Sequence, residues 1–98
     1  MARPNTLEPE LMNVLTSVGA NGITAVQLER TLPSLVSGTF GSGGLQAALL
    51  RMFDTGRAVR VFEYPMDAAG RVVGPRRYRW FLAGVVDGAT VPHLEVRT

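Results

Sequence analysis

Arginine is the residue type in this sequence with the clearest chemical potential. The 98-residue chain has ten basic residues, all of them arginines, and a formal net charge of +2. Seven arginines lie between Arg51 and Arg79 against three acids, a local balance of +4. A planar guanidinium can bind a phosphate or a base edge through two parallel hydrogen bonds. This basic segment therefore predicts attraction to a polyanion such as a nucleic acid, although a merely solvated charged face has the same composition.

Arginines and large side chains are interleaved in the run RRYRWFLAG, Arg76–Gly84. If this run pairs with RAVRVFEY so that Phe62 lies opposite Tyr78, alternation sorts the side chains onto two faces. In this register Arg60 lies opposite Trp80. The face expected to bury against the helices, with Trp80 as its largest anchor, carries Phe62, Tyr64, Tyr78, Trp80 and Leu82. Rings beside arginines could instead stack single-stranded bases, but a chain of this length needs them for its core.

The opposite face of the same strand carries Arg77 and Arg79 close to Glu63. These arginines could bind phosphates, or Glu63 could simply pair with Arg77 on a solvated face; we favour phosphate contact. Phe81 falls on this face as well. An exposed Phe81 would indicate a partner or dimer surface, whereas a buried one would speak against the register.

Enzyme chemistry finds little support in the sequence. The chain has no cysteine and a single histidine, His93, without a recognisable nucleophile or carboxylate in relation to it. The glycine-rich run Gly41–Gly44 precedes a predicted helix and could hold a phosphate. However, the chain has no lysine for a phosphate loop, so a flexible helix entry is the simpler interpretation. We expect that the protein is not an enzyme and that it binds neither a metal nor a cofactor.

Three helices are predicted to position these residues. Leucines at helical spacing, with Gly19 as a stop, predict a helix over 7–18. A capping box between Thr24 and Gln27 opens a short second helix, which Pro33 ends. After a predicted glycine- and serine-rich loop, a one-sided apolar stripe predicts a third helix from Gly43 or Gly44 to Asp54.

The C-terminal half is predicted to be β-structure. The two alternating runs form a hairpin, because the intervening PMDAAGRVVGP contains two prolines and two glycines that break helix and ladder. The tail over 83–98 could cover the core, add an edge strand or pair with another subunit. We expect one domain over 1–98 with a core over about 7–82.

The order of three helices followed by a two-stranded hairpin resembles the winged helix-turn-helix superfamily. ITAVQLERTL is similar to the second helix of that family, and LQAALLRMFDTGRAV to its third helix running into the wing. The resemblance implies an α+β, mainly α fold in which the third helix enters the major groove of DNA. Two features depart from the family: Glu29 replaces a usually small residue, and the connection before Leu45 is longer than its tight turn.

On this resemblance the exposed face of the third helix offers few polar groups. Gln46 and Arg51 could read adenine and guanine edges, with Ala47 beside them, or could be ordinary solvated positions. Arg71 at the tip of the wing is a candidate for the minor groove. The residues expected to contact DNA are Gln46, Ala47, Arg51, Arg57, Arg60, Arg71, Arg76, Arg77 and Arg79.

Two functions follow as hypotheses. The first is a small transcriptional regulator that binds double-stranded DNA as a homodimer on paired half-sites. The second is a protein-interaction module of the same fold, which would dock through Leu50, the loop 34–44 and the wing. The sequence has no apolar run near the roughly 18 residues of a membrane span and no apolar leader at its start. We therefore expect a cytoplasmic location, at the nucleoid if the protein binds DNA.

Overall fold

The computed structural model describes residues 7–97, which form four helices and a three-stranded antiparallel sheet. In chain order the elements are α1 (Leu7–Val18), β1 (Ile23–Thr24), α2 (Ala25–Thr31), α3 (Pro33–Val36), α4 (Ser42–Asp54), β2 (Ala58–Glu63) and β3 (Arg77–Leu82). A 3-10 turn over Gly19–Asn21 joins α1 to β1. The predicted α+β class is confirmed. The predicted element list lacked α3 and β1.

The three longer helices follow their sequence signals. α1 has the predicted bounds and buries its leucine stripe completely. At the start of α2 the predicted capping box is confirmed: Thr24 Oγ1 accepts from the N–H of Gln27 at 3.4 Å, and Gln27 Oε1 accepts from the N–H of Thr24 at 3.1 Å. α4 begins at Ser42 and packs its apolar stripe into the core, leaving its other side exposed.

The short helix α3 forms within a segment that was predicted to be a loop. Pro33 stands at its first position, where a fixed φ and a missing N–H are tolerated. Ser34 donates from its backbone N–H to Glu10 Oε1 at 3.0 Å, and its hydroxyl donates to the other carboxylate oxygen of Glu10. A carboxylate of α1, distant in sequence, therefore holds the start of α3.

The sheet has the strand order β1-β3-β2, so β3 is central. The predicted hairpin register is confirmed, with Phe62 opposite Tyr78 and Arg60 opposite Trp80. β1, which the sequence prediction lacked, adds Ile23 opposite Trp80 on the other side of β3. The N-terminal half of the chain is thereby joined to the hairpin through the sheet.

Two apolar clusters cover the two faces of this sheet. The larger one combines the buried leucines of the helices with Trp80, which is 2% exposed. The smaller one surrounds Phe81, also 2% exposed, which packs with Val59 and Val61. Residues of the tail that cover this second cluster are Ala83, Val86, Val91 and Leu94.

The burial of Phe81 corrects the sequence interpretation. Phe81 is buried although the register is right, because the tail packs on the face that was expected to be open. Glu95 then forms an antiparallel bridge with Arg60 at the outer side of β2. Within the described residues, the tail thus covers a face of the sheet and adds one bridge to its edge.

Candidate nucleic-acid interface

The exposed side of α4 lies as the sequence predicts. Gln46, Ala47, Leu50 and Arg51 are exposed, while the residues between them are buried against the core. Gln46 can donate and accept hydrogen bonds, and Arg51 can only donate. Ala47 and Leu50 offer apolar contact alone. The helix therefore carries two groups able to read base edges.

Glu8 of α1 joins α4 to the start of the hairpin. Its carboxylate accepts from Arg51 Nε at 3.1 Å and from Arg57 Nη2 at 2.5 Å. Partial burial raises the pKa of Glu8, but the hydrogen bonds and charges of Arg57 and Arg51 outweigh that effect, so the pKa lies below its usual range. Two arginines against one ionised carboxylate leave an excess positive charge here.

Glu63 forms a second node of the same kind on the sheet. Arg79 contacts both of its oxygens, at 2.9 and 3.0 Å, and Arg77 Nε lies 3.2 Å away. Arg79 also donates to the carbonyl of Asn21. Burial raises the pKa of Glu63, but the hydrogen bonds and charges of the two arginines dominate and lower it. Arg79 is thus fixed, whereas Arg77 is exposed with one contact.

The far end of the hairpin is an ordered turn. Met66 and Val72 form a bridge, and the Asp67 carboxylate accepts from the backbone N–H groups of Arg71 and Ala69. The hydrogen bond from the Arg71 backbone contributes most to lowering the pKa of Asp67. The Arg71 side chain pairs with Asp67 at 3.1 Å yet remains 79% exposed.

Arg60 occupies a different environment from the other predicted contact residues. Its side chain is 16% exposed and pairs with Glu95 at 3.0 Å. Its guanidinium lies over the rings of Tyr78, Phe53 and Trp80, with centroid distances of 4.1, 4.3 and 5.3 Å. Such cation–π contacts stabilise a desolvated guanidinium. Arg60 therefore links the tail to the aromatic face of the sheet.

A second guanidinium, that of Arg76, lies over the outer rings of the same face. It lies 4.6 Å from the centroid of Phe62 and 5.6 Å from that of Tyr64. Phe62 in turn stacks on Tyr78 at 4.6 Å with an interplanar angle of 24°. The rings of Phe62 and Tyr64 are 41% and 50% exposed, so only the inner part of the aromatic face is buried.

A groove of about 250 Å³ runs between α4, the start of α2 and the hairpin. It brings Gln46 of α4 together with Arg76 and Arg77 of the hairpin. The rest of its lining is formed by Thr24, Ala25, Val26, Phe62, Tyr78 and Trp80. The groove therefore combines cationic, amide and apolar groups in one concavity.

The predicted contact residues thus separate by position. Three of them share the groove, while Arg51 and Arg57 meet at Glu8, and Arg71 lies at the hairpin tip. The sequence prediction lacked the groove walls on α2 and the stacking of Arg76. The predicted register could have indicated this contact. Two residues beyond the pair Phe62–Tyr78, it places Arg76 opposite Tyr64 on the aromatic face.

In fold and surface chemistry, this is a small α+β protein with an arginine-lined groove beside an exposed helix face. Within residues 7–97 no helix is long and apolar enough to cross a membrane. Comparisons with protein-family models, curated proteins and solved structures found no match to this chain.

Proposed function

We propose that this protein is a winged-helix protein that binds double-stranded DNA and acts as a transcriptional regulator. The observation that carries the proposal is the groove, in which Gln46 of α4 meets Arg76 and Arg77 of the hairpin. In this proposal α4 enters the major groove and the hairpin, as the wing, lies along the neighbouring backbone. An element order of helices followed by a hairpin, with a short β1 on the sheet, supports the assignment.

Four arginines of the basic segment can exchange a carboxylate for a phosphate. Arg51, Arg57, Arg71 and Arg77 all keep exposed side chains while they pair with carboxylates. Ion pairs at a protein surface are worth about 0–1 kcal/mol. The carboxylates here are 17–30% exposed, so each exchange also leaves a partly buried carboxylate with one partner fewer. Each guanidinium that moves onto a phosphate releases condensed counterions, which makes binding favourable and dependent on salt. Arg60 and Arg79, which are held more firmly, would support the wing rather than contact DNA.

A salt titration tests this proposal. We expect the protein to bind mixed-sequence duplex DNA with an affinity that falls steeply as salt rises, measured by fluorescence anisotropy. In the double variant Arg71→Ala, Arg77→Ala the slope of log K against log salt should be shallower by about 2, or roughly 0.9 for each lost phosphate contact.

The matched control for that titration is Arg30→Ala. Arg30 lies on α2 beside Val18 and Thr31, in a different depression of the surface. Its loss removes the same kind of charge and should leave the salt slope unchanged. Absence of duplex binding by the parent at low salt would contradict the proposal, as would equal slopes for the parent and the double variant.

We also propose that the protein binds DNA as a homodimer, because one domain of this size makes a small interface with DNA. Paired half-sites would then double the number of phosphate and base contacts. Sedimentation equilibrium of the protein with a single duplex should give two protein chains per duplex. A complex with one chain at saturating protein concentration would exclude the dimer.

The hairpin also favours a second candidate, a protein-interaction module. Its outer part exposes apolar side chains that a purely phosphate-binding wing would not need, namely Tyr64, Met66, Val72 and Val73. Exposed apolar patches often mark protein interfaces. The same titration separates the two candidates, since an interaction module requires no affinity for duplex DNA at low salt.

A further inference from the structure

We propose that Arg76 is a base-reading residue, whose guanidinium recognises a guanine in the major groove beside the base contacted by Gln46. This inference rests on the proposed binding of duplex DNA. It means that a residue of the hairpin, in addition to α4, determines which base sequence the protein prefers. On sequence grounds Arg76 was one of several arginines expected to contact phosphates or the minor groove. Its surroundings distinguish it from the others.

The first distinction is the way in which Arg76 is held. Its guanidinium stacks on Phe62 and lies near Tyr64, and Phe62 itself stacks on Tyr78. The guanidinium of Arg60 in turn lies over the ring of Tyr78. The side chain is therefore ordered by a continuous stack of rings and cations that begins in the core. A guanidinium ordered before binding loses less conformational entropy when it meets its ligand.

The second distinction is the N–H edge of Arg76. A cation–π contact uses no hydrogen-bond acceptor, so it leaves N–H donors of the guanidinium for other partners. The other six arginines between Arg51 and Arg79 each pair with a carboxylate. For Arg76 no such ion pair occurs among residues 7–97. Its donors are thus available without the loss of an existing contact.

The position of Arg76 favours a guanine edge over a phosphate. Guanine offers O6 and N7 as two acceptors in one plane, and an arginine reads them with two parallel hydrogen bonds. An arginine can bind a phosphate in the same bidentate way, so the choice between the two ligands rests on where Arg76 lies. Arg76 shares the groove with Gln46, whose amide can read adenine on the helix side. The two residues would therefore read neighbouring base pairs.

Selection from a duplex library with a randomised central segment tests this assignment. The parent protein should enrich a motif in which one position prefers guanine by roughly 5- to 150-fold over other bases, the range for a good bidentate contact. Arg76→Ala should lose the preference at that position and keep the rest of the motif. Phe62→Leu, which removes the ring that orders the guanidinium, should weaken the preference at the same position.

The control is Arg77→Ala, which removes the neighbouring charge from the same groove. It should bind more weakly at every sequence and retain the whole motif. An unchanged motif in Arg76→Ala, or a parent that binds duplexes with no base preference, would overturn the role of Arg76 while leaving DNA binding intact. Failure of the parent to bind any duplex at low salt would instead remove the proposed function itself. Thermal unfolding by circular dichroism shows that each variant is folded before selection.

Discussion

Replacing Trp80 with alanine is expected to lower the free energy of unfolding by about 3–5 kcal/mol, the range for deletion of a buried large ring. Trp80 is 2% exposed and belongs to the main apolar cluster. Its ring also contacts Arg60, whose guanidinium carbon lies 5.3 Å from the centroid of the Trp80 ring. A domain of this length has about 5–15 kcal/mol of stability in total, so the loss would be a large share of it.

Chemical denaturation followed by circular dichroism measures this effect, since Trp80 is the only tryptophan and its loss removes the fluorescence signal. The matched control is Phe62→Ala. Phe62 lies on the same face of the sheet but is 41% exposed. Its loss removes a stacked pair with Tyr78 and should cost about 1–2 kcal/mol. Similar losses in both variants would contradict the placement of Trp80 as the main anchor of the sheet.

The dominant role of Trp80 was predictable because a strand alternates with period two. Once Phe62 was placed opposite Tyr78, the face of every residue in the hairpin followed, and the structure confirms this pairing. The helix bounds were predictable for a related reason, since apolar spacing and caps are local signals. Of the candidate site, the exposed face of α4 and the position of Arg77 and Arg79 close to Glu63 followed from the same rules. The ion pair of Arg79 with Glu63 was not predicted.

The elements that the sequence prediction lacked depend on contacts between distant segments. β1 has two residues, which is too short for an alternating pattern to be recognised, and it exists because Ile23 pairs with Trp80. α3 is supported by hydrogen bonds from Ser34 to Glu10 in α1. Local composition contains neither contact.

The tail presents the same difficulty in another form. Its valines and Leu94 are ordinary apolar residues in a segment with no strong periodicity, so three placements were compatible with the sequence. The choice depends on Phe81, a large ring on the face where β3 otherwise carries arginines and β2 carries Val59 and Val61. Covering that ring removes apolar area from water, at about 25 cal/mol per Å², which no open placement of the tail would achieve. The position of Phe81 thus indicated that the tail covers this face of the sheet, and it did not contradict the strand register.

Substitution of Gly22 by alanine is expected to be about as damaging as that of Trp80, with a loss of about 2–6 kcal/mol in the free energy of unfolding. Gly22 has φ 65° and ψ −177°, a region of backbone conformation that is essentially restricted to glycine and costs another residue about 1–3 kcal/mol. A Cβ added there would lie 2.6 Å from Phe81 Cε2 and 2.8 Å from Arg79 Cγ. Overpacking of this kind adds about 1–3 kcal/mol.

Gly19→Ala is the control for a positive φ without overpacking, because Gly19 has φ 55° but no atom lies within 4 Å of its added Cβ. Backbone strain alone should cost that variant about 1 kcal/mol. The excess loss in Gly22→Ala then combines the close approach of the turn to Phe81 with the greater backbone strain at Gly22. Since Phe81 is the centre of the cluster that the tail covers, its displacement should also expose the tail to limited proteolysis in Gly22→Ala and not in Gly19→Ala. Equal stability losses and equal cleavage in the two variants would show that the turn does not press on Phe81.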